Sequence, residues 1–501
     1  MKSVLMHRDR SFDLRSAPQP GEAALVQDLE LDVLFDAMSN GDKFVREAAM
    51  RAVLSSLKSV DEILYRHDVL RDCMKNPEAV RALYKNSVEA LESEGRVWTW
   101  FDAGSPNIIL TKSVEVLILL LVKLKELRDL VDAHSAKFDS DGFRALFALL
   151  EKELTNDYLL TIRAHLAELR YDNGVLIGAE LGDGNKGVNY SLRKPQQRPK
   201  PSVMSRVLDR GAPDQYTFTL DIRDEPVAKM LSELREMGVN TAANSLAQSA
   251  DHVLGFYGAL RAELAFYLGC LNLRDRLNQE GEPTCFPVPA AIGESRLSFQ
   301  GLYDACLVLK SRQKAVDNDL AADGKDLIVV TGANRGGKST FLRSVGLAQL
   351  LMQCGALVPA KSFASDVRTG MFVHFRREED PTMRRGKLDE ELSRMSDIVD
   401  NLSRNGMVML NESFAATNQR EGSEIAGQIV SAMLESKVKV FFVTHQYDFA
   451  KKFYEKRMPN AVFLRAERMS SGERTFKIVP GEPLQTSYGE DLYDKIFSRA
   501  G

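Results

Sequence analysis

The run Gly332-Ala333-Asn334-Arg335-Gly336-Gly337-Lys338-Ser339, followed by Thr340, constrains this chain more than any other segment. An apolar strand, Leu327–Thr331, leads directly into it, and a helix over Ser339–Cys354 is predicted to leave it. A strand that turns into a helix through glycines lets several backbone N–H groups converge on one point, where the helix N-terminus adds partial positive charge. The pattern therefore predicts a phosphate cradle. Lys338 brings a point charge to the outer phosphates of a nucleoside triphosphate, and Ser339 offers its hydroxyl to magnesium.

Past Ser295 the pattern alternates between strand and helix: Met407–Leu410 and Val438–Val443 read as strands, Ile425–Glu435 as a helix. That order predicts an α/β domain with a largely parallel, covered sheet. Asn411 and Glu412 end one strand. Glu412 is placed to polarise water as a general base, whereas Asn411 can accept through its amide oxygen but adds no negative charge. His445 ends the next strand, where ligands of open α/β sheets collect, and is expected near the γ-phosphate. The charged segment Phe372–Val399, with Arg376, Arg377, Arg384, Arg385 and Lys387, is expected to be largely an exposed helix face, and Gly386 to open a helix whose amides face an anion.

The front of the chain is different. From Leu25 to about Tyr171 apolar residues recur at helical steps, continuing through Lys112–Ala133 and Arg144–Leu169. Val175–Leu181 and Tyr216–Ile222 read as strands around a turn-rich segment containing Arg193, Lys194, Arg198 and Lys200. That segment is either a solvated loop or a phosphate-backbone contact. A long helix over Val227–Gln279 follows and stops at Gly281. For 501 residues, a prior of roughly three domains fits these shifts in texture. The boundaries expected are a helical first half at 1–171, a short β/basic insert at 172–226, a returning helix and connector at 227–294, and the α/β domain at 295–501.

Formal charge is −4, so a nucleic-acid partner would require a local basic face. Five cysteines without a Cys-x-x-Cys pair suit a reduced compartment. The longest apolar run, Val116–Val122, is too short to span a bilayer, and the N-terminus has no apolar signal core. The expected location is the cytoplasm, away from membranes.

With these residues in place, the chain resembles the MutS family of ABC ATPases. The resemblance rests on the loop Gly332–Thr340, then Val358-Pro359-Ala360, then Leu410-Asn411-Glu412 followed by Ala416-Thr417-Asn418 and Glu421-Gly422, then Thr444-His445 and Thr486-Ser487-Tyr488-Gly489. Upstream, Asp28–Asp32 and Gly41-Asp42 resemble the start of the family's core domain. The fold class implied is an α/β C-terminal ABC-type P-loop ATPase domain, preceded by a mainly α-helical core/lever region with long helices and a small β/loop insert. The family implies ATP and Mg2+ as cofactors and a homodimer through the ATPase domains. It also implies binding and clamping of duplex or branched DNA in repair or recombination, with docking of other mismatch-repair proteins and lever arms that respond to ATP.

By this resemblance, Gly332, Ala333, Asn334, Arg335, Gly336, Gly337, Lys338, Ser339, Thr340 and Asn318 contact ATP. Ser339 and Asn411 hold Mg2+, while Glu412, His445 and Lys338 act on the γ-phosphate. A signature helix containing Gly386, Lys387 and Glu391 closes over the partner's nucleotide, and Arg193, Lys194, Arg198 and Lys200 sit at the DNA-clamp position.

The departures are specific. Arg335 stands where the family has Met, Asn411 where it has Asp, and Ala315 where it has a stacking aromatic. Gly386-Lys387 replaces a small hydroxylic pair. The mismatch-reading Phe-x-Glu is not near the start, so the mismatch-recognition and connector modules are expected to be absent. Slow hydrolysis follows from Asn411. Two other readings stay open: an ATP-binding dimerisation switch with little hydrolysis, and an ATPase scaffold acting on a protein partner without DNA.

Overall fold

The computed structural model describes residues 2–97, 105–171, 175–193, 225–377, 386–469 and 474–485. Two compact units emerge, one formed by Met1–Ser3, Ala82–Ala136 and Leu146–Arg261, the other by Val4–Arg81, Lys137–Ala145 and Ala262–Gly501.

The first unit is built on long helices. Pro106–His134 buries Leu120, Leu124, Leu127 and Val131, a three- and four-residue rhythm that forms one continuous stripe. Lys123 on that helix reaches Glu89 at 2.8 Å, and Asn86 donates to the Lys123 carbonyl at 3.2 Å. The helical stretch expected at Arg144–Leu169 is made of two helices, Asp141–Glu153 and Asn156–Glu168. Thr155 breaks them: its hydroxyl accepts the Tyr158 amide at 3.2 Å and caps the second helix. Strands β1 (Leu176–Leu181) and β2 (Gly187–Arg193) form an antiparallel hairpin with an irregularity between Gly178 and Glu180. The expected strand Tyr216–Ile222 lies outside the described residues. The long helix spans Glu225–Gln279, and its residues from Ala262 onward belong to the second unit.

The second unit contains two sheets. The smaller comprises β3 (Val288–Ala290), β4 (Leu297–Leu302), β5 (Asn318–Ala321) and β7 (Ser362–Asp366), in the order β3-β7-β4-β5. The larger comprises β6 (Leu327–Thr331), β8 (Met371–Phe375), β9 (Met407–Asn411), β10 (Lys439–Val443), β11 (Ala461–Arg468) and β12 (Arg474–Pro480). Its order is β12-β11-β6-β10-β9-β8, parallel throughout except for β12, which is antiparallel to β11. Every residue of β6, β8 and β10 is buried, which explains their mostly apolar or aromatic character, with Thr331 and Lys439 only at strand ends. Phe372–Phe375 is therefore part of a buried edge strand rather than of an exposed helix. The helix of that segment begins only at Lys387 and ends at Asn401.

One sheet face is closed by Met395 and Ile398 of that helix, by Ala426, Val430 and Met433 of helix Gln419–Glu435, and by Phe449 and Phe453 of helix Tyr447–Glu455, against Val329, Val408, Leu410 and Phe442. Helix Lys338–Cys354 lies so close to the sheet that a Cβ at Gly346 would stand 2.9 Å from the Met409 sulfur. Its C-terminus is held by fully buried Arg66, whose Nη1 donates to the Cys354 carbonyl at 2.9 Å and whose Nε donates to Met6 O at 3.1 Å. Arg66 Nη2 also lies 3.0 Å from His7 Nε2. Burial, then the charge of Arg66, pushes the His7 imidazole down to about 4, so this nitrogen is the acceptor.

Replacing Arg66 by Met keeps bulk but leaves two buried carbonyls unpaired. Denaturant unfolding should show a loss of about 3 kcal/mol, from an expected penalty of roughly 1–3 kcal/mol for each orphaned group. A loss below about 1 kcal/mol would mean that these carbonyls find other partners.

Candidate functional site

The parallel register sets the site. Val443 of β10 pairs with Val330 of β6 and with Asn411 of β9, so three strands end together. The segments leaving those ends carry the loop, Glu412 and His445 at one edge of the sheet. The loop folds tightly here because its first residue lacks a side chain: Gly332 has φ +113°, and a Cβ there would stand 2.9 Å from the Ala466 amide nitrogen on β11. Arg335, at the loop's tip, is itself left-handed with φ +58°. Helix Lys338–Cys354 then starts, as expected from the sequence.

Lys338 is 5% exposed, and its Nζ donates to the carbonyls of Gly332 (3.0 Å) and Ala333 (2.9 Å). Burial lowers its ammonium to about 8 despite the nearby carboxylate of Glu412. Ser339 Oγ donates to Asn411 Oδ1 at 3.2 Å, so these two oxygens from different elements meet. Glu412 is left-handed at φ +54°, and its amide donates to Val443 O at 2.8 Å. Its Oε1 lies 3.3 Å from His445 Nε2, and its Oε2 lies 3.7 Å from Arg376 Nη1. The His445 ring beside it holds the carboxyl below its usual range against the cost of burial, and the charges of Lys338 and Arg376 act in the same direction. Such a carboxylate stays ionised at neutral pH and can orient water.

Beside the loop is a cavity of about 460 Å³ lined in part by Tyr303, Ala315, Asn318, Arg335, Phe341 and Phe476. Asn318 has a second tie: its Oδ1 accepts the Ile478 amide at 2.8 Å and joins β5 to β12. Phe476, 48% exposed on β12, supplies an aromatic on the wall that Ala315 leaves open. Neither Phe476 nor Arg376 was identified as a site residue by sequence reasoning. Phe476 is a single ring in a polar strand far along the chain, and Arg376 was one cation among many.

The other expected residues are spread more widely. Gly386 is exposed and opens the helix Lys387–Asn401, and Lys387 is half-buried. Glu391 is 1% exposed, and burial raises its carboxyl. Arg193 closes β2 in the first unit and is exposed. Lys194, Arg198, Lys200 and Thr486-Ser487-Tyr488-Gly489 lie outside the described residues. Among the described residues, no group of three or more His, Cys, Asp or Glu side chains could hold a metal, and no helix is long and apolar enough to cross a membrane.

The pKa of Lys338 has a measurable consequence. A phosphate brought to Nζ restores the ammonium, so binding above pH 8 must take up a proton and weakens as pH rises. Affinity for ATP should fall about tenfold between pH 7 and pH 9, and Lys338→Arg, always protonated, should flatten that dependence. Equal wild-type affinities at the two pH values would remove Lys338 from the contact.

Comparison with known proteins agrees with this geometry. A model described as the MutS2 N-terminal domain matches residues 58–280, and one described as MutS domain V matches residues 328–495. The DNA mismatch repair protein MutS of Thermotoga maritima is 30% identical over 217 residues, covering 41% of this chain and 27% of that protein. The corresponding protein of Thermus aquaticus is 29% identical over 188 residues, covering 37% and 22%. MutS protein homolog 4 of Mus musculus is 24% identical over 170 residues, covering 34% and 17%. These matches span about a quarter or less of the relatives' own length. With two domain models of one family matched in succession along it, the chain belongs to the MutS family.

Proposed function

We propose that this chain is a DNA-coupled ATPase of the MutS type, which works as a dimer and uses ATP to change its grip on duplex or branched DNA. The observation that carries the reading is the convergence of Lys338, Ser339, Asn411, Glu412 and His445 at one edge of one sheet. Lys338 and the amides of Gly332–Thr340 bind the β- and γ-phosphates. The cavity lined by Ala315, Arg335 and Phe476 receives the base, with Asn318 fixing its wall through β12. Glu412 accepts a proton from the attacking water, and His445 and Arg376 keep its carboxylate ionised and aimed.

The oxygen donors Ser339 Oγ and Asn411 Oδ1 fit a hard cation that brings most of its ligands with the nucleotide. When bound, Mg2+ neutralises charge that develops on the phosphates. Asn411 lacks the charge of a carboxylate, which makes turnover slow and favours, as a second reading, a switch that binds ATP, dimerises and scarcely hydrolyses it. Gly386 and Lys387 are the signature-helix residues placed to meet a second copy's nucleotide. The helix Glu225–Gln279 acts as the lever, and Arg193 with Lys194, Arg198 and Lys200 contacts the DNA backbone.

Steady-state ATP hydrolysis, with and without duplex and branched DNA, tests the reading. DNA should stimulate turnover, Lys338→Ala should abolish nucleotide binding, and Glu412→Gln should abolish turnover while sparing binding. Unchanged turnover in Glu412→Gln would refute the assignment of the base. Asn411→Asp should raise turnover about tenfold or more if a magnesium ligand is what limits the rate. If DNA binding is electrostatic, log affinity should fall linearly with log salt, and charge reversal at Arg193, Lys194, Arg198 and Lys200 should reduce the slope by about 0.9 for each phosphate that is no longer neutralised.

A further inference from the structure

Glu412 sits in an unusual turn. It and Phe414 both have positive φ, +54° and +62°, with Ser413 between them. Two left-handed residues this close together persist only where surrounding groups over-determine the backbone. The restraint comes from two sides. From one, Gln446, the residue after His445, donates from Nε2 to Ser413 O at 3.3 Å and to Phe414 O at 3.1 Å. On that side helix Gln419–Glu435 also comes so near that a Cβ at Gly422 would stand 2.4 Å from Phe414 O.

From the other side comes His374 of β8, fully buried, its ring stacked on Phe414 at 5.6 Å between centroids. His374 Nε2 lies 3.0 Å from the Glu391 carbonyl, and Nδ1 lies 2.7 Å from Ser413 Oγ. A carbonyl can only accept, so its partner Nε2 carries the ring proton and Nδ1 presents a lone pair. The Ser413 hydroxyl is then the donor to Nδ1. Its alternative acceptor, the His374 carbonyl at 2.8 Å, belongs to the same residue. Either choice of acceptor ties Ser413 to His374, and His374 ties it to the helix Lys387–Asn401.

We propose that His374 is a positioning residue for hydrolysis: through Ser413 it locks the 412–414 turn to the signature helix and so aims the Glu412 carboxylate. The proposal rests on the reading of Glu412 as the base. It assigns work to a fully buried histidine set behind the base. It also places the link on the inward side of the signature helix, at the backbone of Glu391, whereas Gly386 and Lys387 stand at that helix's start.

The test is the ATPase assay on the full chain with His374→Phe, Ser413→Ala and the double variant, beside Glu412→Gln. Phe keeps the ring stacked on Phe414 and removes both nitrogens, and Ala at 413 removes only the hydroxyl. Each single variant should lower kcat about tenfold or more with KM and ATP affinity unchanged within about twofold, because a misaimed base slows chemistry without weakening binding. The double variant should be no slower than the slower single one, since both break the same link. Thermal melting of Ser413→Ala guards against simple unfolding. If Glu412→Gln loses turnover while His374→Phe and Ser413→Ala hydrolyse ATP like the wild type, this proposal fails alone. Parallel losses of kcat and ATP affinity in both single variants would also overturn it, as a general structural role. Turnover that survives in Glu412→Gln removes the base and this proposal together.

Discussion

The parallel pairing of β6, β10 and β9 is the constraint on which the site depends. Buried strands held in register deliver their ends to one edge, and whatever follows them in sequence must meet there. The loop, the Asn411–Glu412 pair and His445 come from three distant parts of the chain, yet their separations follow from two rows of backbone hydrogen bonds. The sheet's burial on both faces makes a shift of register costly, because it would bring polar residues at the strand ends into the apolar core. Helix Lys338–Cys354 adds a second restraint: its close passage over Met409 and the grip of Arg66 on its last carbonyl fix where its N-terminus, and hence the loop, must stand.

Electrostatics at this edge are arranged around one carboxylate. Glu412 lies among His445, Lys338 and Arg376, all of which favour its ionised form, while burial opposes it. The balance keeps an anion ready to accept a proton beside a lysine whose own charge burial has weakened. Replacement of a second carboxylate by Asn411 has the same sense, since a like charge next to Glu412 would have raised its pKa. The Asn411 amide thus leaves Glu412 as the carboxylate at this strand end.

Much of this is legible in the sequence. The strand Leu327–Thr331 has the predicted bounds, and the helix after it begins one residue earlier, at Lys338. The long helix Glu225–Gln279 matches its expected span within two residues, because an apolar stripe at helical spacing is a local signal. Residue chemistry at strand ends is equally readable. The segment Phe372–Val399 is not: its dense charge conceals a buried strand, since the four residues Phe372-Val373-His374-Phe375 are too short a run to separate from a helix by periodicity. Nor does local spacing reveal that Asn318, which lines the cavity, also holds β12, a partner 160 residues away in sequence.

By itself the sequence determined the phosphate loop, the strand and helix that flank it, the acid at the next strand's end and the family to which the chain belongs. These are patterns written over a few neighbouring residues, where backbone geometry and side-chain chemistry act together. Tertiary structure alone decided that Phe476 walls the cavity, that Arg376 attends Glu412, that Glu391 faces inward, and that His374 meets Ser413. Each depends on which distant segments the sheet order and helix packing bring within a few ångströms, and local spacing carries no record of that.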